Sequence, residues 1–212
     1  MSALRGVDLA KSYRRGRERV HALRGVSLDV GPGELVALLG RSGSGKSTLL
    51  NCLLGWERPD AGTVSVPGAE APATAPWTTV AVVPQQFGLL EELTVGGNVT
   101  LPARLAGDAD PAAAATAALT ALRLDALADR LPSEVSLGQQ QRTALARALV
   151  VRPAFLLADE PTGHLDEELT GTVLGVLREA CAGGTGVLVA SHDPAVVTAA
   201  DRVLRLEDGR LA

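Results

Sequence analysis

The sequence predicts an α/β fold, a mainly parallel sheet with an antiparallel β part at its N-terminus and an inserted α-helical lobe. Three observations predict it. Strand-length apolar runs, Leu35–Leu39, Val80–Val83, Phe155–Asp159 and Val187–Ala190, alternate with helical stretches, the pattern of parallel strands joined by crossover helices and covered on both faces. The segments 4–10 and 20–30 instead alternate loosely and read as two strands joined by an Arg-rich turn. From Leu93 to Leu131 the chain becomes Ala- and Leu-rich and helical until Pro132 breaks it.

Each element follows from local chemistry. Gly31-Pro32-Gly33 is a turn before the Leu35–Leu39 run. Residues 48–54 read as a helix ending at Gly55. Pro59-Asp60-Ala61-Gly62 turns into a short strand at Thr63–Val66, and the Pro- and Ala-rich residues 67–78 read as a loop. Val80–Val83 is β-branched and reads as a buried strand that stops at Pro84. Asp110-Pro111 marks a helix start with proline at the first helical position. Helices are expected at 138–151, 166–181 and from Pro194, with a last strand at Val203–Leu206 before Asp208-Gly209. Residues 1–92 and 136–212 form the expected core and 93–135 the lobe, within one domain.

Composition narrows the function. A chain of 212 residues can bury a core without disulfides. Its net charge of −4 and the lack of a long basic block argue against a nucleic-acid groove. The run Arg14-Arg15-Gly16-Arg17-Glu18-Arg19 reads as a solvated loop, with a patch facing anionic lipid headgroups as the other reading. Cys52 and Cys181 fall in separate helical segments without metal-ligand spacing and read as buried small hydrophobes, which suits a reducing compartment. The first ten residues lack an apolar signal core. No stretch reaches the roughly 18 to 20 apolar residues that span a bilayer. The expectation is a soluble intracellular chain that needs another polypeptide for any membrane channel.

Gly40-Arg41-Ser42-Gly43-Ser44-Gly45-Lys46-Ser47-Thr48 fits the phosphate-loop pattern between a strand and a helix. Glycines let backbone N–H groups close on phosphate oxygens, Lys46 adds positive charge, and the Ser47 hydroxyl can ligate Mg²⁺. Lys46 is one of two lysines in the chain, so its place in the motif is not that of a generic surface charge. Asp159-Glu160 ends a buried strand, where one carboxylate can hold Mg²⁺ and the next can polarise a water. His192 follows another strand, where it can bond a γ-phosphate or orient water. His21, in a strand, and His164, in a loop, receive no such role. Gln85 ends a third strand, beside its competitor Gln86, and can ligate Mg²⁺ or position water. Ser136-Leu137-Gly138-Gln139 opens a helix; Ser136 reads as an N-cap, and the helix N-terminus is either an anion site or a bare cap. Tyr13, the single tyrosine, reads either as a ring stacked on adenine or as a core residue.

Taken together, these residues resemble the ATP-binding-cassette (ABC) ATPase family over nearly the whole chain. Gly40–Thr48 resembles Walker A and Gln85 the Q-loop glutamine. Val135-Ser136-Leu137-Gly138-Gln139 resembles the Leu-Ser-Gly-Gly-Gln signature, and Phe155–Glu160 resembles Walker B with its glutamate. Gly163-His164-Leu165-Asp166 resembles the D-loop, His192 the switch histidine and Tyr13 the adenine-stacking aromatic. Val20–Leu28 and Phe87-Gly88-Leu89-Leu90 are similar to the lipoprotein-releasing and macrolide-export subunits. The pattern departs mildly at Val135 and more seriously at Leu137, which replaces the first signature glycine and can hinder close approach to a partner's ATP.

The resemblance implies a P-loop ATPase that uses ATP and Mg²⁺. Catalytic roles fall to Glu160, His192 and Gln85, ATP binding to Tyr13 and Gly40–Thr48, and metal ligation to Ser47, Gln85 and Asp159. Ser136–Gln139 would act on a second copy, with Asp166 in the D-loop. It implies a homodimer, an integral membrane permease, no nucleic acid, and a place on the cytoplasmic face of the membrane. Phe87, Leu89 and Leu90 are the expected permease contacts. A cassette that regulates a cell-envelope or division complex without transport is the other reading. A chromosome-maintenance type would carry a long coiled-coil insertion, which the span from Lys46 to Ser136 lacks. A translation-factor type would carry two cassettes. A small-molecule kinase leaves Ser136–Gln139 and His192 unexplained.

Overall fold

The strand that leads into the glycine-rich loop, β3 (Leu35–Leu39), sends successive side chains to opposite sides of a sheet. Leu35 and Ala37 enter one apolar layer, Val36 and Leu38 another. β6 (Phe155–Asp159) and β7 (Gly186–Ala190) divide in the same way. Leu156, Ala158, Val187 and Val189 face the first layer; Phe155, Leu157, Leu188 and Ala190 face the second. Both faces are covered, so these strands tolerate no polar alternation. The computed structural model describes residues 2–16 and 18–212.

The main sheet has six strands in the order β5-β6-β7-β3-β8-β9, with β5 at Val80–Val83, β8 at Arg202–Glu207 and β9 at Arg210–Leu211. All neighbours are parallel except β9, which returns antiparallel beside β8. The first layer is closed by α2 (Val95–Leu105), α3 (Pro111–Ala121), α4 (Leu137–Leu149), α5 (Glu167–Ala182) and α6 (Pro194–Ala199). The second is closed by α1 (Lys46–Leu53) and a separate antiparallel sheet. That sheet holds β1 (Leu4–Arg15), β2 (Glu18–Val30) and β4 (Ala61–Ser65) in the order β2-β1-β4. Among the described residues no helix is long and apolar enough to cross a membrane.

Several expectations change. The strands reach further into the Arg-rich run than expected: Arg14 pairs with Arg19 and Arg15 with Glu18, and Gly16 lies in the turn between them. Met1 and Arg17 lie outside the described residues. β5 is an edge strand rather than a fully buried one. Ala81 and Val83 are buried against the helical layer, while Val80 and Val82, on the opposite face, are half-exposed. The helix start expected at Asp110-Pro111 is present: α3 begins at Pro111, and the Asp110 side chain caps it by accepting from Ala113 N–H at 3.0 Å. The loop 67–78 contains a single 3₁₀ turn at Pro72–Thr74. Cys52 and Cys181 are buried and unpaired, in α1 and α5.

One ion pair fastens the entry of β3 to β8. Arg202 Nε donates to Glu34 Oε1 at 2.7 Å, and Arg202 Nη2 donates to the Asp29 carbonyl at 2.6 Å. The Arg202 bond, helped by the Gly31 N–H, holds the Glu34 carboxyl below its ordinary pKa against its partial burial. A lowered carboxylate pKa adds stability above the unfolded-state value, and that stability is lost as pH falls through the folded value. Glu34→Gln is therefore expected to lower stability by about 1 kcal/mol at neutral pH, with the difference vanishing in acid. Thermal melts of both proteins across pH measure it.

Candidate functional site

Four strand ends converge at one edge of the main sheet. β3 runs into the glycine-rich loop, β5 into Gln85, β6 into Asp159 and Glu160, and β7 into Ser191 and His192. Gly40–Gly43, Gly45–Thr48, Gln85, Asp159, Glu160 and His192, with Ala22 of β2, line a cavity of about 570 Å³. The carboxyl edge of a parallel sheet is where such folds place ligands.

The loop shape is imposed by backbone contacts. Gly45 caps α1 at φ 109, and a Cβ there would collide with the Ala22 carbonyl oxygen. No side chain caps α1, so its first-turn N–H groups are available to an anion at the positive end of the helix. The helix starts at Lys46, two residues before its expected start, because Gly45 makes the turn. Lys46 Nζ donates to the carbonyls of Gly40 at 2.7 Å and Arg41 at 3.4 Å, which holds the ammonium over the loop.

Ser47 Oγ donates to Asp159 Oδ2 at 2.8 Å, so a hydroxyl and a carboxylate from distant segments share one point. Burial is the main force raising the Asp159 pKa, with the Glu160 charge adding to it; the Ser47 bond and Lys46 oppose it. A carboxylate so desolvated gains from a nearby cation. Hydroxyl, carboxylate and the Gln85 amide make an oxygen donor set that fits Mg²⁺, which takes one or two protein ligands and completes its shell with water and phosphate.

Beside it, Glu160 Oε2 accepts from Ser191 Oγ at 3.0 Å, and Glu160 Oε1 lies 2.8 Å from His192 Nδ1. Glu160 is half-buried and the His192 side chain is 80% exposed. Both residues line the cavity.

The remaining candidates stand elsewhere on this chain. Ser136 caps α4 by accepting from Gln139 N–H at 3.3 Å, while Gln139 Oε1 accepts from Ser136 N–H at 2.7 Å, a reciprocal capping box. Leu137 is 56% exposed at the first helical position. Gly138 is needed by its own chain, since a Cβ would stand 2.7 Å from the His164 carbonyl oxygen. Asp166 caps α5, accepting from Leu169 N–H at 2.8 Å. Ser136–Gln139, Asp166 and Tyr13 do not line the 570 Å³ cavity. Tyr13 is not a core residue: at 37% exposure it donates its hydroxyl to Glu57 Oε2 at 2.5 Å, beside Thr48. Burial first, then the Glu57 bond, push that phenol up to about 12.

Three residues escaped the sequence reading. Ser191 supports Glu160. Gln141 of α4 donates from Nε2 to the Glu160 carbonyl at 2.5 Å. Arg147 of α4 donates to the carbonyls of Phe87 at 2.7 Å and Gly88 at 2.6 Å. The available signal was a polar residue such as Gln141 set among the buried positions of an otherwise amphipathic helix.

Residues 23–163 match the sequence profile of the ABC transporter family. An uncharacterized ABC transporter ATP-binding protein of Mycobacterium tuberculosis is 42% identical over 215 residues, covering 96% of this chain and 86% of the relative. The macrolide export ATP-binding/permease protein MacB of Salmonella typhimurium is 38% identical over 214 residues; these cover 96% of this chain but 33% of that protein. Among solved structures, a dimeric bacterial ABC transporter cassette superposes with a TM-score of 0.91 at 32% identity, covering 98% of this chain and 96% of that one. A post-hydrolysis dimer of the same cassette, bound to ADP and Pi, gives a TM-score of 0.90.

Proposed function

The chain belongs to the ABC transporter family, and from that premise we propose that it is the ATP-hydrolysing subunit that drives a membrane exporter. The observation that carries this reading is the convergence of Gly40–Thr48, Asp159, Glu160 and His192 on one cavity at the sheet edge. The loop N–H groups and Lys46 bind the phosphates of ATP. Ser47, Asp159 and Gln85 would hold Mg²⁺, which would supply positive charge to offset that of the phosphates. Glu160 accepts a proton from the attacking water, and His192 holds that carboxylate in place. Tyr13 offers its ring to adenine.

Catalysis takes two chains in this reading. Ser136–Gln139 stand away from the cavity on their own chain, and the N-terminus of α4 is an anion-binding end free to meet the nucleotide of a second copy. The dimeric cassettes among the structural relatives support the arrangement. ATP held between two chains favours the closed dimer by linkage, and hydrolysis releases it. Turnover is therefore expected to rise more steeply than linearly with chain concentration and to stop when Mg²⁺ is chelated. A rate strictly proportional to concentration over a range in which sedimentation finds the chain monomeric would overturn the two-chain site. Leu137→Gly removes an exposed isobutyl group from the approach path and is expected to raise turnover about threefold, a gain of about 0.7 kcal/mol. Unchanged turnover would mean that the departure is harmless.

The 93–135 lobe and the 1–92 and 136–212 core bound a groove for the permease. Of the expected contacts, Phe87 and Leu89 pack in part against the helical layer, and Leu90 is 43% exposed. Trp56 at 62% and Trp77 at 51% exposure instead flank a cavity of about 470 Å³ that Pro102 and Arg147 also line. A cytoplasmic helix of an integral membrane permease fits such an apolar, aromatic-rimmed surface. The chain then sits peripherally on the inner face of the membrane, and the MacB relatives support export as the direction.

A further inference from the structure

We propose that Gln141 is a positioning residue that couples the placement of the signature helix α4 to the aim of the Glu160 carboxylate; this rests on Glu160 being the base. Gln141 is 2% exposed. One amide serves two partners: Nε2 donates to the Glu160 carbonyl at 2.5 Å, and Oε1 accepts from His164 N–H at 3.3 Å.

Glu160 needs such support. It lies at φ 51, in the left-handed region that a residue with a Cβ enters at a cost. A conformation of that kind persists when its surroundings over-determine it. Glu160 N–H donates to Ala190 O at 2.8 Å, and its carbonyl accepts from Gly163 N–H at 3.2 Å as well as from Gln141. With both flanking peptides held, the side chain is directed at Ser191 and His192.

The Gln141 bond is the one that reaches Glu160 from α4. The first turn of α4 also rests on the same loop, where Gly138 leaves no room for a Cβ beside the His164 carbonyl. A second copy that closes on Ser136–Gln139 therefore presses on a helix whose next turn holds Glu160 by the backbone. The geometry makes assembly of the two-chain site and alignment of the base one event.

The test is steady-state ATPase kinetics of full-length Gln141→Met and Gln141→Asn beside Glu160→Gln. Methionine keeps the packing length without the hydrogen bonds; asparagine keeps the amide but is too short to span both partners. Gln141→Met is expected to lower kcat about ten- to hundredfold per folded molecule, with KM for ATP within about twofold, because a small misplacement of a reacting group is enough for such a loss. Gln141→Asn should fall between it and wild type, and it carries the test if Gln141→Met does not fold. Adding Gln141→Met to Glu160→Gln should cost nothing further, since groups acting as a unit are non-additive. The proposal is overturned if kcat per folded molecule is unchanged and only the melting temperature falls, or if the two losses multiply. Wild-type turnover in Glu160→Gln itself would instead remove the base, and this proposal with it.

Discussion

Glu160→Gln is expected to lower ATP turnover by about 10²- to 10⁴-fold, the range spanned by a positioned general base. The substitution is isosteric. A glutamine oxygen still accepts from Ser191 Oγ, and the backbone bonds to Ala190 and Gly163 are untouched, so fold and stability should hold. What disappears is the ability to take a proton. The loop N–H groups and Lys46 are unchanged, so ATP should still bind and dimers should accumulate, because the step that dissolves them is blocked. Sedimentation with ATP and Mg²⁺, run beside an ADP control, measures the dimer. A variant that turns over normally would remove Glu160 from the base role.

Gly45→Ala carries the largest expected effect on binding. At φ 109 the backbone lies outside the region open to alanine, and the added Cβ meets the Ala22 carbonyl oxygen. Strain and collision together are expected to cost at least about 2 kcal/mol. The loop cannot relax freely, since the next residue begins α1, whose Leu49, Leu50 and Leu53 are buried. Relief must therefore come from moving β2 away or from unwinding the first turn, and either displaces the N–H groups aimed at phosphate. ATP affinity is expected to fall by about tenfold or more, as read by calorimetric titration, with a lower melting temperature. Gly43→Ala is the comparison: its φ of 81 is also positive, but nothing lies within 4 Å of its Cβ. The two should differ in stability by the cost of the collision.

The groove residues show where sequence reasoning stops. Trp56 and Trp77 are 21 positions apart in the sequence, and nothing local marks them as neighbours of one cavity. The hydrophobicity of Phe87 is plain in the sequence and its direction is not; the fold sets it edge-on to the His164 ring, 5.9 Å between centroids. Similarly, Arg14, Arg15, Glu18 and Arg19 read as loop by composition, yet they are paired strand because the pairing that begins at Leu4–Val30 extends to them.

By itself the sequence determined the α/β class, most of the order of the elements and the glycine-rich loop between β3 and α1. Those properties depend on local periodicity, on glycine placement and on residues a few positions apart. It also placed Asp159, Glu160 and His192 at strand ends. The tertiary structure alone decided that Ser47 meets Asp159, that Glu160 stands at φ 51 between Ser191 and Gln141, and that Ser136–Gln139 stay away from their own cavity. The physical reason is sheet order. β6 and β7 lie between β5 and β3, although β3 and β5 precede them in the chain. Strand pairing over such separations is set by which faces can be buried together, and no local window of sequence contains that information.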